Sequence, residues 1–204
     1  MAVLSVILAT TLLMGLGVSI VLLGTSEAVL AAHDRASRAL REASMAAVHL
    51  TVADLRRQPS WSAVLGAGVG PISAQPGRLT EASLTLVPPW GGPPLDLRQS
   101  TVDVQAAADT GSGDPQVWRL YECGPLSRVV PAVSVPPLFV AAWVADDPAD
   151  GDGDPLTDSN GILAVYAEAL GPANSRAVTV VSIRKTALPS EAAEVRILTV
   201  RPRP

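Results

Sequence analysis

The chain has 204 residues, of which 48% are hydrophobic and only 17% charged, so a disordered charged tail is excluded as the whole molecule. Fifteen basic and nineteen acidic side chains give a net charge of -4, and only four Trp, two Tyr and one Phe are present. A nucleic-acid partner is therefore not expected, since neither a basic surplus nor a stacking platform exists. One cysteine, Cys123, permits no internal disulfide, and two histidines, His33 and His49, leave little for His-based catalysis.

The first element is the most informative. Residues 1–26 carry no charge, and Glu27 is the first charged side chain. A run of about 20 apolar residues is what spanning a bilayer requires, and in lipid such a run must be helical. A cleaved secretory signal would need a basic start and a shorter apolar core. Neither is present, so a transmembrane helix is the expectation.

No proline occurs before Pro59, and small apolar residues continue at steps of three and four through Val29, Ala32, Ala36, Leu40, Ala43, Ala47, Leu50 and Ala53. We therefore expect one helix over 2–57, roughly 85 Å long at 1.5 Å per residue. Its half over 1–26 suits lipid, and its half over 27–58 is amphipathic. The alanine stripe and Gly15, Gly17 and Gly24 suit close approach of neighbouring helices. Arg35, Arg38 and Arg41 follow the apolar run and would hold that side in the cytoplasm. The remainder reads as an exported, turn-rich domain. A basic leader removed ahead of Met1 reconciles the two.

Residues 59–204 are expected to form a β-rich domain. Residues 60–78 read as loop, and 79–87, 95–105 and 116–122 as strands. Residues 129–145 are apolar but broken by Pro131, Pro136 and Pro137. Residues 162–169 and 177–185 should form a hairpin, and 194–201 a last strand. The predicted class is α+β, with a long N-terminal helix packed on a small antiparallel sheet.

The acidic loop over 146–161 is the one candidate chemical site. Asp146, Asp147, Asp150, Asp152, Asp154 and Asp158 fall within thirteen residues. Counted from Asp150, carboxylates recur at positions one, three, five and nine, the alternation of hard oxygen donors that calcium takes. Pro155 and Gly161 stand where an EF-hand needs glycine and glutamate, and the flanks read as strands, so a true EF-hand is not expected. The alternatives are a calcium-stabilised loop of another geometry, with Asp147, Asp150, Asp152, Asp154 and Asp158 as ligands and a structural role, and a solvated turn. Cys123 and the four tryptophans are expected to be packing residues.

The charge-free N-terminus, the single long helix and the β-rich remainder resemble a type IV pilin. The likeness is to PilX-like minor pilins, which begin with a run similar to Ala-Val-Leu-Ser-Val-Ile-Leu-Ala (residues 2–9). They also carry an Asp/Gly-rich loop ahead of Asn-Gly and an aliphatic strand. Here that text is Asp-Gly-Asp-Gly-Asp-Pro-Leu-Thr-Asp-Ser-Asn-Gly-Ile-Leu-Ala-Val-Tyr (residues 150–166). The resemblance covers both ends of the chain and is weak in the middle. It implies a non-enzymatic assembly subunit, made as a prepilin, trimmed by a prepilin peptidase and methylated at Met1. Implied partners are other minor and major pilins, an inner-membrane assembly platform and a tip adhesin. The implied location is the bacterial inner membrane and then the fibre. Ser5 departs from the glutamate of most major pilins, which argues against a bulk fibre subunit. The other readings are a type II secretion minor pseudopilin and a single-pass, membrane-anchored calcium-binding or adhesive module.

Overall fold

The fold follows from where the chain is free of proline and where its apolar residues repeat. In the computed structural model, which describes residues 2–66, 84–88, 90–108, 116–128, 137–186 and 194–203, Ala2–Leu55 form one α-helix, α1. The chain divides into two compact units, Met1–Arg38 and Ala39–Pro204. The second unit is α+β, as expected. The helix closes slightly short of 57: Arg57 N–H donates to the carbonyl of Asp54 and Gln58 N–H to that of Leu55, tightening the last turn before Pro59.

A cation from the sheet meets the carbonyls that follow this helix end. Lys185 reaches across from the sheet and donates to the carbonyls of Gln58 (2.8 Å) and Pro59 (3.1 Å). Its ammonium stands 5.7 Å from the centre of the Trp61 ring. Trp61 in turn donates its Nε1–H to the carbonyl of Leu55 at 3.1 Å. Trp61–Gly66 form a short helix, α2, where a loop was expected. Trp61 and Leu65 are both buried on it, which draws the turn onto the core.

Two short strands, β1 (Thr85–Leu86) and β2 (Leu95–Asp96), pair antiparallel. The strand expected over 95–105 is overturned: Leu97–Ala108 are helix α3. Asp96 caps it, its Oδ1 accepting the N–H of Arg98 (2.9 Å) and of Gln99 (3.3 Å). Five further strands follow: β3 (Arg119–Pro125), β4 (Phe139–Asp146), β5 (Ile162–Leu170), β6 (Arg176–Thr186) and β7 (Glu194–Arg203). They form one antiparallel sheet in the order β3-β4-β5-β6-β7, a meander. The expected hairpin is β5–β6, with Leu170 opposite Arg176. Its turn leaves no space at Gly171, where a Cβ would meet Ser175 Oγ at 2.9 Å and Leu138 Cδ2 at 3.0 Å.

Both faces of this sheet are covered. On one face Leu40, Ala43, Ala47, Val48, Val52 and Leu55 of α1 pack with Val140, Ala142, Val144, Val165 and Val181. On the other, Leu97 and Val104 of α3 pack with Phe139, Ala141, Trp143 and Tyr166. β4 is consequently buried at every position, which is why 139–145 reads as an unbroken apolar run rather than an alternating one. Trp143, fully buried, donates its Nε1–H to Thr101 on α3 at 2.8 Å and meets Tyr166 edge-on at 5.6 Å.

The stripe of α1 in the second unit differs in part from expectation. Ala43 and Ala47 lie on it, but Leu50 and Ala53 are only half-buried. Ser44 and Thr51 take buried places instead. Each is satisfied across the interface, Ser44 with Thr179 at 2.8 Å and Thr51 by donating to Glu122. Residues 67–78 of the expected loop, residues 79–83 and 129–136 of the expected strand regions, and Met1, lie outside the described residues.

Candidate functional site

The first candidate is the apolar segment of α1. The helix is long and apolar enough to cross a membrane, and among the described residues nothing buries its most apolar window. A core helix of a water-soluble protein buries such a face. Here Val3, Leu4, Ile7, Leu13, Met14 and Leu23 are all exposed. The hydroxyls that interrupt the run are turned back onto the helix. Thr10 donates to the carbonyl of Val6 (3.0 Å), Ser19 to that of Gly15 (2.8 Å) and Ser26 to that of Leu22 (2.9 Å). Such internal pairing removes the penalty these groups would carry in hydrocarbon.

At Gly15, Gly17 and Gly24 an added Cβ would meet nothing within 4 Å. Ala32 and Ala36 are exposed as well. Among the described residues nothing covers these five small residues. Ala43 and Ala47 differ, because the chain's own sheet covers them.

The second candidate is the loop between β4 and β5, the two central strands of the sheet. Its carboxylates have different tasks. Asp150 accepts Ser159 N–H at 2.8 Å and the Ser159 hydroxyl. These bonds hold the Asp150 carboxyl below its ordinary pKa. Asp154 accepts Thr157 Oγ1 at 2.8 Å and Leu156 N–H at 3.1 Å, with the same effect. Asp158 accepts Gly161 N–H at 2.7 Å, but partial burial raises its pKa. Asp147 accepts Asn160 Nδ2 at 3.2 Å. Gly161 ends the loop at φ 72°, with the carbonyl of Lys185 3.1 Å from where a Cβ would sit. Ser62 of α2 accepts Asp158 N–H at 3.1 Å, tying the loop to the helix side of the unit.

Of the expected ligands, the structure brings Asp150 and Asp152 together with Asp146, their carboxylate oxygens all within 4.8 Å of one another. Asp147, Asp154 and Asp158 are not in that group, the one such group among the described residues. Spacing selected Asp147 over Asp146 because it treats the loop as detached from the strand. The signal for Asp146 is its place at the end of β4, a strand buried at every position. Burial, helped by the charges of Asp150, Asp158 and Asp152, pushes its carboxyl up to about 7 against the lowering effect of the Asp147 backbone hydrogen bond.

A third polar group lies where α1 meets β3. Tyr121 donates its hydroxyl to Asp54, and burial raises its pKa. Burial also pushes Glu122 up to about 7, against the lowering effect of the Thr51 hydrogen bond. Cys123 is buried and its thiol pushed up to about 12, so it packs as a small apolar residue. His33 and His49 are exposed on α1.

Comparison of the chain with protein families, with curated proteins and with solved structures gives no match.

Proposed function

We propose that this chain is a pilin-like structural subunit, a minor pilin of a type IV pilus held in the inner membrane before assembly. One observation carries the reading. A single helix, α1, combines a charge-free stretch with no buried residue and a second stretch packed on an antiparallel sheet. Such a stretch needs a cover, and none of the described residues supplies it. Lipid covers it before assembly, and the apolar helices of neighbouring subunits cover it in a fibre. Gly15, Gly17, Gly24, Ala32 and Ala36 are the small residues that let a neighbour's backbone come close. Ser5 allows the helix to lie in lipid without burying a charge. Other minor and major pilins, the assembly platform and a tip adhesin are the partners this reading assigns.

Fractionation tests it. Cells are sheared, and the chain is followed in surface fibres and in membranes. Recovery in sheared fibres with other pilins, abolished by deleting the assembly ATPase of the pilus machine, supports the minor pilin. Recovery in fibres that depend on a type II secretion machine reassigns it to a pseudopilin. A chain confined to the membrane in every strain reduces it to a single-pass anchored module.

A further inference from the structure

We propose that Asp146, Asp150 and Asp152 form a divalent-cation site of the calcium type at the root of the β4–β5 loop, with Asp146 as its fixed ligand. Two independent observations support it. The first is convergence: oxygens of these three carboxylates lie within 4.8 Å of one another. Like charges so close disfavour one another unless a cation lies between them. The second is an unmet acceptor. Asp146 is 4% exposed, and although the Asp147 N–H reaches its carboxylate, its Oδ1 is buried with no hydrogen-bond partner. A buried acceptor left unpaired costs the full loss of its hydration. A bound cation supplies the missing partner and neutralises the cluster at once.

The donor set selects the ion. All three ligands are hard carboxylate oxygens, with neither thiol nor imidazole among them, which suits calcium or magnesium over zinc or copper. A flexible Asp/Gly loop tolerates calcium's irregular shell better than magnesium's strict octahedron. The bonds that Asp150 receives from Ser159 and that Asp152 receives from Asp154 N–H leave lone pairs for a metal. Asp152 is exposed and Asp150 half-buried, giving an ion a route to the buried Asp146. The assignment differs from the alternating set expected from spacing: it takes in Asp146 and leaves out Asp147, Asp154 and Asp158. Its role is structural, fixing the loop onto the end of β4, and it does not depend on the fibre reading.

The test is calorimetric titration of the full chain, in detergent micelles, with calcium chloride after chelator treatment. One saturable site is expected, with a Kd on the order of 10⁻⁵–10⁻³ M. Asp146→Asn and Asp152→Asn should each weaken it by at least about tenfold, the smallest loss typical even of outer-shell changes. Asp147→Asn and Asp154→Asn should leave it within about twofold, since both lie outside the converging group. Absence of saturable binding by the unsubstituted chain up to about 10 mM calcium, beyond the weakest range for such modules, overturns the proposal. So does binding unchanged in Asp152→Asn. That variant alters an exposed residue and decides the matter even where Asp146→Asn fails to fold.

Discussion

The two lengths of α1 are built from similar residues and have opposite surroundings. Before Arg38, leucine, valine, glycine and alanine are exposed on every side of the helix. From Leu40 on, the same residue types face a sheet, and positions 40, 43, 44, 47, 48, 51, 52 and 55 are buried. The difference lies in what interrupts the apolar residues. Up to Ser26 the first length is interrupted only by hydroxyls and glycines, and Glu27, Asp34 and Arg35 follow on its exposed surface. The second is interrupted by charged residues on its outer side and by Ser44 and Thr51 on its inner side, which need partners on another element. Composition thus separates the exposed length of the helix from the length packed on the chain's own sheet.

Substitutions sharpen this contrast, and the largest effect belongs to the covered region. Trp143→Ala should destabilise the unit over 39–204 by about 3–5 kcal/mol, because it empties a buried ring site and orphans Thr101. Leu13→Ala, at a position 68% exposed, should change unfolding of that unit by less than about 0.5 kcal/mol. Chemical denaturation followed by tryptophan fluorescence measures both.

The next effect depends on pH. Burial raises Glu122 to about 7, from an ordinary value of 4.5. Below 4.5 both folded and unfolded states hold the proton. As pH climbs from 4.5 to about 7 the unfolded state is ionised while the folded state still holds the proton, and stability is lost across that window. Glu122→Gln keeps an acceptor for Thr51 and removes the titration. It should match the unsubstituted protein near pH 4 and exceed its stability at pH 8 by about 1–3 kcal/mol. Equal stability of the two proteins at pH 8 would show that Glu122 is not held in its neutral form.

Adding volume to the two alanine stretches separates them directly. Ala47→Leu should cost about 1–3 kcal/mol, since Ala47 is 1% exposed beneath the sheet. Ala36→Leu should leave stability unchanged and, on the fibre reading, lower recovery in sheared fibres. The smallest effect is expected at α3. Asp96→Ala removes two cap bonds and should cost about 1 kcal/mol, seen as faster amide exchange in the first turn of α3.

Much of the fold is legible from local pattern. The proline-free stretch marks α1, and β5, β6 and β7 lie where apolar runs are bounded by Gly, Pro and Asn. The second layer is not legible in the same way. Residues 97–108 mix Thr, Val and Gln, which suits a strand as well as a helix. The helix signal was Asp96 with Gln99 three residues later, a cap read only by placing the turn first. The acidic loop is legible as a cluster but not as a site. Alternation along the chain marks Asp150 and Asp152, whereas Asp146 joins them through the end of β4, a fact of tertiary placement. Ser44, Thr51 and Lys185 were missed for the same reason: their partners lie more than seventy residues away in sequence.

The most direct measurement is intact mass and N-terminal peptide mass spectrometry on the protein from its native membrane or fibre fraction, set against its open reading frame. The account predicts a leader cut away ahead of Met1 and a methyl group on the amine of that residue. An unmodified or formylated Met1 encoded as the start of translation would contradict it.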